Sequence, residues 1–267
     1  HVRRFLNEVR NCPVENYDLV INDFEPVSAW ACKLKNVNCI SLSHQSSLLS
    51  SKVPQPDYKD FFSRMILKYY APAIQSFGMH FKRYDSNIYL PIIRNDIRQL
   101  KVSTDKHYTV YLPSYSDKKI IETLSKIEKV EWQVFSKTCK KSYKKRNVVI
   151  KPITSEKFEK SIASSLGVIC GAGFETPAEA LFLGKKLLVI PMVGQYEQHY
   201  NAAGLKDLGV PVLKKLKKKN VQKIKKWVKS KKVVEVGFPD ETQFIVDSIL
   251  SKYIIATELS NKLLEEV

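Results

Sequence analysis

The sequence predicts an α/β protein of two domains, each a parallel sheet with crossover helices. Three observations predict it. Short apolar runs alternate with helix-patterned segments along nearly the whole chain, the pattern of βαβ units. These runs form two series, separated by the polar segment IRNDIRQLKVSTD at 93–105. A Gly-x-Gly turn and a helix start follow the apolar run at 166–170, at the edge where parallel sheets bind ligands.

In chain order, HVRRFLNEVRN (1–11) reads as a helix. YDLVIND (17–23) reads as a buried strand with a polar end. EPVSAWACKLKN (25–36) reads as a helix with proline in its first turn. NCISLS (38–43) is the next strand, a helix is expected over roughly 58–75, and GMHFKRY (78–84) and NIYLP (87–91) are strand candidates. The second series gives strands at 107–112, 131–136, 147–151, 166–170, 186–191 and 210–213, with helices between most of them. The expected division is 1–100 for the first Rossmann-like domain, 106–250 for the second, and 251–267 for a terminal helix or tail. The first series is short for a doubly wound domain, so the N-terminal domain is expected to be incomplete in this chain.

The composition narrows the function classes. With 44% hydrophobic residues the chain can bury a core, which excludes a disordered protein. No apolar stretch approaches the roughly 20 residues of a membrane span. Five cysteines stand at 12, 32, 39, 139 and 170 without CxxC spacing, which points to free thiols rather than a disulfide framework or zinc site. The net charge is +17, and Lys214 to Lys232 holds eleven lysines and no acidic residue. Leu213, Leu216, Val221, Ile224 and Val228 fit a buried stripe, so the run reads as the solvated face of an amphipathic helix. It also reads as an anion-binding surface for phospholipid heads or nucleic acid. No aromatic-rich basic groove accompanies it, which argues against nucleic acid.

Residues 170–203, CGAGFETPAEALFLGKKLLVIPMVGQYEQHYNAA, carry the chemistry. Gly171 and Gly173 allow close backbone approach and unusual dihedrals. Thr176 is placed to cap the next helix, with Pro177 at its first position and Glu179 three residues after the cap. That is a capping box, and equally a helix start whose free N–H groups suit a phosphate. After Pro191, the side chains of Gln195, Glu197, Gln198 and Asn201 cluster at another helix start, where carboxylate and amide groups suit a polyhydroxy ligand or simply form a polar helix end. Neighbouring parallel strands would bring both turns to one edge.

Residues 167–209 resemble the nucleotide-sugar signature of GT-B glycosyltransferases. The pattern is G-x-x-[ST]-x-x-E, a strand ending in proline, then [DE]-Q-x-x-N-A. This chain has Gly173, Thr176, Glu179, Pro191, Glu197, Gln198, Asn201 and Ala202 in that order. The likeness is to the bacterial peptidoglycan-precursor N-acetylglucosaminyltransferases and the UDP-glycosyltransferases, as a bacterial branch of them. It implies a GT-B fold of two Rossmann-like domains and a UDP-sugar as donor. It also implies that Glu179 holds the ribose, that the turn of Gly171, Ala172, Gly173, Phe174 and Thr176 receives the diphosphate, and that Glu197 and Gln198 face the sugar. More weakly, SHQSS (43–47) is similar to an acceptor-side HEQN stretch, with Gln45 matching its glutamine. LPIIRNDI (90–97) resembles an NPVR segment, and Ser114 and Ile153 fall where the family contacts phosphate and base. A plant-type histidine is replaced by Gly171. The family's N-terminal glycine-rich loop, often bearing a histidine, would precede His1.

The function expected is metal-independent transfer, inverting in outcome, from a UDP-sugar to an acceptor hydroxyl of a lipid-linked or small molecule. No cofactor or metal is expected, since backbone N–H groups would stabilise the leaving diphosphate. Candidate bases in this chain are His44, Asp23 and Glu25, with a base before residue 1 as the alternative. Asp23 and Glu25 also read as helix caps. The lysine run and apolar Leu48 and Leu49 are candidates for peripheral contact with a membrane-borne acceptor. The expected place is the cytoplasm, or the inner face of the bacterial cell envelope. Two rivals remain: a UDP-sugar epimerase of the same fold, and a non-catalytic nucleotide- or nucleic-acid-binding protein.

Overall fold

Two parallel sheets organise the chain in the computed structural model, which describes residues 2–56 and 61–265. The first stretch runs α1 (Val2–Asn11), β1 (Val20–Asn22), α2 (Pro26–Lys35), β2 (Cys39–Ser43), α3 (His44–Ser47) and α4 (Phe61–Tyr69). It continues with β3 (Gln75–Met79), β4 (Ile88–Tyr89) and α5 (Asn95–Arg98). Its sheet has the order β1-β2-β3-β4, parallel throughout. Alternation along β2 sends Cys39 to one face and Ile40 to the other. Cys39 joins a core with Val9, Val14, Ala31 and Cys32, under α1 and α2.

The second stretch runs β5 (His107–Tyr111), α6 (Asp117–Leu124), β6 (Glu131–Ser136), β7 (Tyr143–Lys145), β8 (Val148–Pro152), α7 (Ser155–Ser164), β9 (Gly167–Cys170) and α8 (Glu175–Phe182). It ends with β10 (Lys186–Val189), α9 (Tyr196–Asp207), α10 (Val221–Lys229) and α11 (Thr242–Glu265). The sheet order is β10-β9-β5-β6-β8-β7, parallel except for β7. The chain moves outward from β5 through β6 to β8. It then returns through α7 to β9 on the other side of β5. The order reverses between β5 and β9, which creates a crevice at their carboxyl ends.

The strands of this sheet are buried on both faces, as crossover helices require. One face packs Val110, Trp132, Val134, Ile150 and Ile169 against Leu124 of α6 and Ile224 and Trp227 of α10. The other packs Val168, Cys170 and Val189 against α7, α8 and α9, and takes in Phe81, Ile93 and Ile97 from the first stretch. The two sheets are therefore joined through one shared apolar cluster.

Several elements differ from the sequence expectations. The helix expected over 58–75 is α4, ending at Tyr69; residues 57–60 lie outside the described residues. Position 75 already belongs to β3, and the strand candidate at 78–84 ends at Met79. The stretch 210–213 contributes only a bridge from Val212 to Val189. The antiparallel strand β7 was not expected, because all three of its residues are exposed and it carries no apolar alternation. It folds back on β8 through a turn with Arg146 at φ +55°. The terminal helix begins at Thr242, and its Ile245 and Ile249 pack with Ile40, Phe77 and Tyr89 of the first sheet. This helix thus brings the chain back to the first sheet at Ile245, Ile249 and Tyr253. Leu48 is buried and Leu49 half-buried, which removes them as an exposed apolar contact.

Gly78 of β3 marks the closest packing in the first sheet. A Cβ there would lie 2.7 Å from the Ser47 Cα and Cβ. Gly78→Ala is expected to destabilise by about 2 kcal/mol or more, because backbone must shift. Gly237→Ala, where a Cβ meets nothing within 4 Å, is expected to stay within about 0.5 kcal/mol. Urea unfolding of the two variants checks the contrast.

Candidate active site

The site forms where β9 and β10 end against the carboxyl end of β2. After Cys170 the chain turns through Gly171, Ala172, Gly173 and Phe174, and α8 begins at Glu175. The residue before that helix is Phe174, in αR conformation and without a side-chain cap. Thr176 is therefore inside the first turn, and the capping box expected of Thr176 and Glu179 does not form. Neither Gly171 nor Gly173 takes a positive φ, so their role is not an unusual dihedral. A Cβ on Gly171 would press to 3.2 Å from the Gln198 Oε1, whereas one on Gly173 would meet nothing within 4 Å. The backbone at Gly173 borders open space beside the first turn of α8, where the N–H groups of Glu175 and Thr176 have no acceptor within the helix and Pro177 carries none.

Glu179 is buried, and its Oε1 accepts hydrogen bonds from Arg94 Nε at 3.1 Å and Nη2 at 2.8 Å. Arg94 Nη2 also reaches Glu159 Oε1 at 2.9 Å. Burial pushes the Glu179 carboxyl above the ordinary range, and Arg94 offsets part of that. Arg94 is pushed upward in turn, mainly by its bond to Glu179. The two shifts express opposite sides of one contact. The geometry of a two-nitrogen fork supports a charge-assisted pair. Arg94 was not singled out in the sequence, although it is the one charge ending the apolar stretch LPII.

On the β10 side, Pro191 is followed by a turn with Gly194 at φ +81°, and α9 starts at Tyr196. Gln195, immediately before it, is exposed. Gln198 is buried; its Oε1 accepts from Ala172 N–H at 3.1 Å and from Met192 N–H at 3.0 Å. This one amide oxygen ties the turn after β9 to the turn after β10. Asn201, one turn after Glu197, is fully buried, with neither side-chain atom partnered.

Glu197 meets the first stretch. Its Oε1 lies 2.9 Å from His44 Nε2, an ion-pair distance that is not aligned as a hydrogen bond, and its Oε2 accepts from Gln45 Nε2 at 3.3 Å. Burial would raise this carboxyl, but His44 and Gln45 outweigh it and hold it below the usual value. His44 opens α3, whose cap is the Ser43 hydroxyl accepting from Ser46 N–H at 3.1 Å. Its ring stacks on Phe174, centroids 4.8 Å apart and planes within 4°. A histidine from one sheet edge thus contacts both turns of the other.

His80 is a site neighbour that sequence reasoning missed. Its Nδ1 accepts from Phe81 N–H at 2.9 Å, which places the ring proton on Nε2. That Nε2 is buried without a partner, and burial pushes the imidazole down to about 4. The only available sequence signal was Gly204 inside a helix. A side chain there would overlap the His80 ring.

The other candidates are dispersed. Ser114 is exposed and lines a cavity of about 440 Å³ at the carboxyl ends of β5 and β6, with Ser116, Lys118, Ser136 and Lys137. Ile153 is half-buried against the shared core. Asp23 is exposed after β1. The carboxylate of Glu25 caps α2, accepting from Val27 N–H at 2.8 Å, Ser28 N–H at 2.7 Å and the Ser28 hydroxyl at 2.7 Å. Neither Asp23 nor Glu25 joins the Glu197 contact. Among the described residues no group of three or more His, Cys, Asp or Glu side chains could hold a metal, and no helix is long and apolar enough to cross a membrane.

The family model described as Glycosyl transferase family 1 matches residues 2–231. A comparison with curated proteins finds no match. Among solved structures, MurG of Acinetobacter baumannii is similar at 14% identity and a TM-score of 0.54, over 85% of this chain and 69% of that one. The spinosyn rhamnosyltransferase SpnG complexed with thymidine diphosphate is similar at 11% identity and a TM-score of 0.53, over 85% and 68%. The glycotransferase of kitacinnamycin is similar at 12% identity and a TM-score of 0.53, over 84% and 72%. At these identities the likeness establishes the fold.

Two outcomes follow from the contacts. Gln198→Ala leaves two backbone N–H groups without their acceptor, and is expected to cost about 2–4 kcal/mol in urea unfolding. Glu197, held below its ordinary 4.5, contributes stability that is present above that value. This contribution is lost as pH falls through the lower folded value. Acidification from about pH 6 to about pH 3 should therefore lower the urea midpoint more in the wild type than in Glu197→Gln.

Proposed function

The chain belongs to glycosyl transferase family 1, and from that premise we propose that it moves a sugar from UDP to an acceptor hydroxyl, with inversion and without a metal. It is a glycosyltransferase of GT-B fold; the donor, stereochemistry and residue roles are our reading. The observation that carries this reading is the position of Glu197. It stands at the carboxyl edge of the second sheet and is met by His44 and Gln45 from the first. A carboxylate there can accept further hydrogen bonds, since its two oxygens offer about four lone-pair directions. It can thus bind sugar hydroxyls while it remains paired with His44.

The donor would lie along the two turns. Glu179 would hold the ribose hydroxyls once Arg94 shares it. The first-turn N–H groups of α8 and the open space beside Gly173 suit the diphosphate, and the helix dipole favours its growing negative charge as the glycosidic bond breaks. Glu197 would accept from sugar hydroxyls, whereas Gln198 acts by holding the two turns together. Ser114 and Ile153 would border the phosphate and base. Asp23 and Glu25 are the weaker base candidates, since Glu25 is already committed to its cap.

His44 is our candidate base. With the Nε2 side held toward Glu197, Nδ1 is the nitrogen left to take the proton from the acceptor hydroxyl. The hydroxyl oxygen forms the new bond to the anomeric carbon, and the electron pair of the old bond leaves with UDP. The carboxylate fixes the ring's orientation, as in other carboxylate–histidine pairs. The acceptor is a lipid-linked or small molecule entering from the β2 side, next to Gln45.

Calorimetric titration with UDP, ADP and GDP tests the donor assignment. UDP should bind selectively, and Glu179→Ala should weaken it by about tenfold or more. His44→Ala should retain UDP binding while losing about 100-fold or more of turnover. Absence of UDP binding in a folded sample would overturn the donor reading, and unchanged turnover in His44→Ala would overturn the base.

A further inference from the structure

The lysine run is folded, and its charge is uncompensated. Lys214, Lys215, Lys217, Lys218, Lys219 and Lys223 are exposed, as are four of the five that follow them up to Lys232; only Lys225 is half-buried. Among the described residues none of the eleven forms an ion pair. The segment is not a loose tail. Val221, Ile224 and Trp227 are buried, and Trp227 Nε1 donates to the Leu187 carbonyl at 3.2 Å. The apolar stripe of α10 is spent on the sheet, so what faces outward is polar and mostly charged.

This helix rides on the face of the second sheet whose core holds no residue from the first stretch. Its outer surface is therefore not used to join the two sheets. Like charges gathered on one rigid face repel one another and gain from a partner that supplies distributed negative charge.

We propose that this face, from Lys214 to Lys232, docks the protein electrostatically on an anionic lipid bilayer. Three features select that partner. The segment contains no arginine, so it lacks the planar fork that reads individual phosphates bidentately; lysines are point charges suited to a diffuse anionic plane. Its one aromatic ring, Trp227, is buried, so no platform for stacking bases exists. It exposes no apolar stripe for insertion, so attachment is reversible and salt-sensitive. The proposal is independent of the donor reading, because it concerns a different face and a different charge source.

The test is sedimentation with vesicles of phosphatidylcholine alone or mixed with phosphatidylglycerol. The wild type should bind only the mixed vesicles and release on raising the salt. Replacing Lys218, Lys219, Lys223 and Lys226 by Gln should lower partitioning by about tenfold or more. A matched variant with Lys140, Lys141, Lys144 and Lys145 replaced by Gln loses the same charge near the opposite sheet edge, and should change partitioning by less than about threefold. Far-ultraviolet circular dichroism establishes that both variants fold. Equal losses in the two variants would mean generic attraction to a +17 protein and would overturn the proposal. So would failure to bind the anionic vesicles, or tighter binding of a duplex oligonucleotide at the same salt.

Discussion

The amide oxygen of Gln198 is the constraint on which the site depends. It accepts two backbone N–H groups, from Ala172 and Met192, and so fixes the turns after β9 and β10 relative to each other. A buried N–H without an acceptor is costly, so each turn is held to the other with more than ordinary stringency. Gly171 is part of the same device, because any side chain there would crowd that oxygen. With the turns fixed, the preceding residue, Glu197, points toward the first sheet. Phe174 is presented to the His44 ring. The chemistry at this edge is therefore placed by a residue whose own reactive capacity is spent on the backbone.

The seam between the sheets has a divided character. An apolar part, with Phe81, Ile93 and Ile97 in the cluster of the second sheet, supplies burial. The polar part holds His44, Gln45, His80 and Asn201, each with at least one buried atom lacking a directional partner. Among the described residues the remaining such atom is Trp132 Nε1, inside the second sheet's core. A buried polar group contributes to stability only once it is hydrogen-bonded, so the apolar part of the seam does more than the polar part to hold the sheets against separation. The terminal helix acts against full separation, since Ile245 and Ile249 return the chain to the first sheet.

Charge is distributed with the same economy of position. The Arg94 fork serves Glu179 and Glu159 at the junction, while the uncompensated lysines lie on the helix at the far face of the second sheet. Attraction near the site is short-range and geometric, and attraction at the far face is diffuse and screened by salt.

The sequence by itself determined the parallel α/β architecture, because apolar runs bounded by turns and separated by amphipathic stretches have few other ways to be buried. It also determined the candidate edge: glycines, a proline-ended strand and the Glu-Gln pair are local features, read directly from residues 170–203. It did not determine what each polar side chain would meet. Glu179 and Thr176 satisfy the spacing of a capping box, yet the helix starts two residues earlier and Glu179 turns to Arg94, 85 residues away in the chain. Glu25 looked equally able to cap or to react, and the cap took it. The strand β7 carried no signal because its residues face solvent. His80 became a buried neutral donor only through Phe81 and Gly204. Secondary structure follows from nearest neighbours in the sequence, whereas a carboxylate's partner is set by which strands end side by side, and only the tertiary structure decides that.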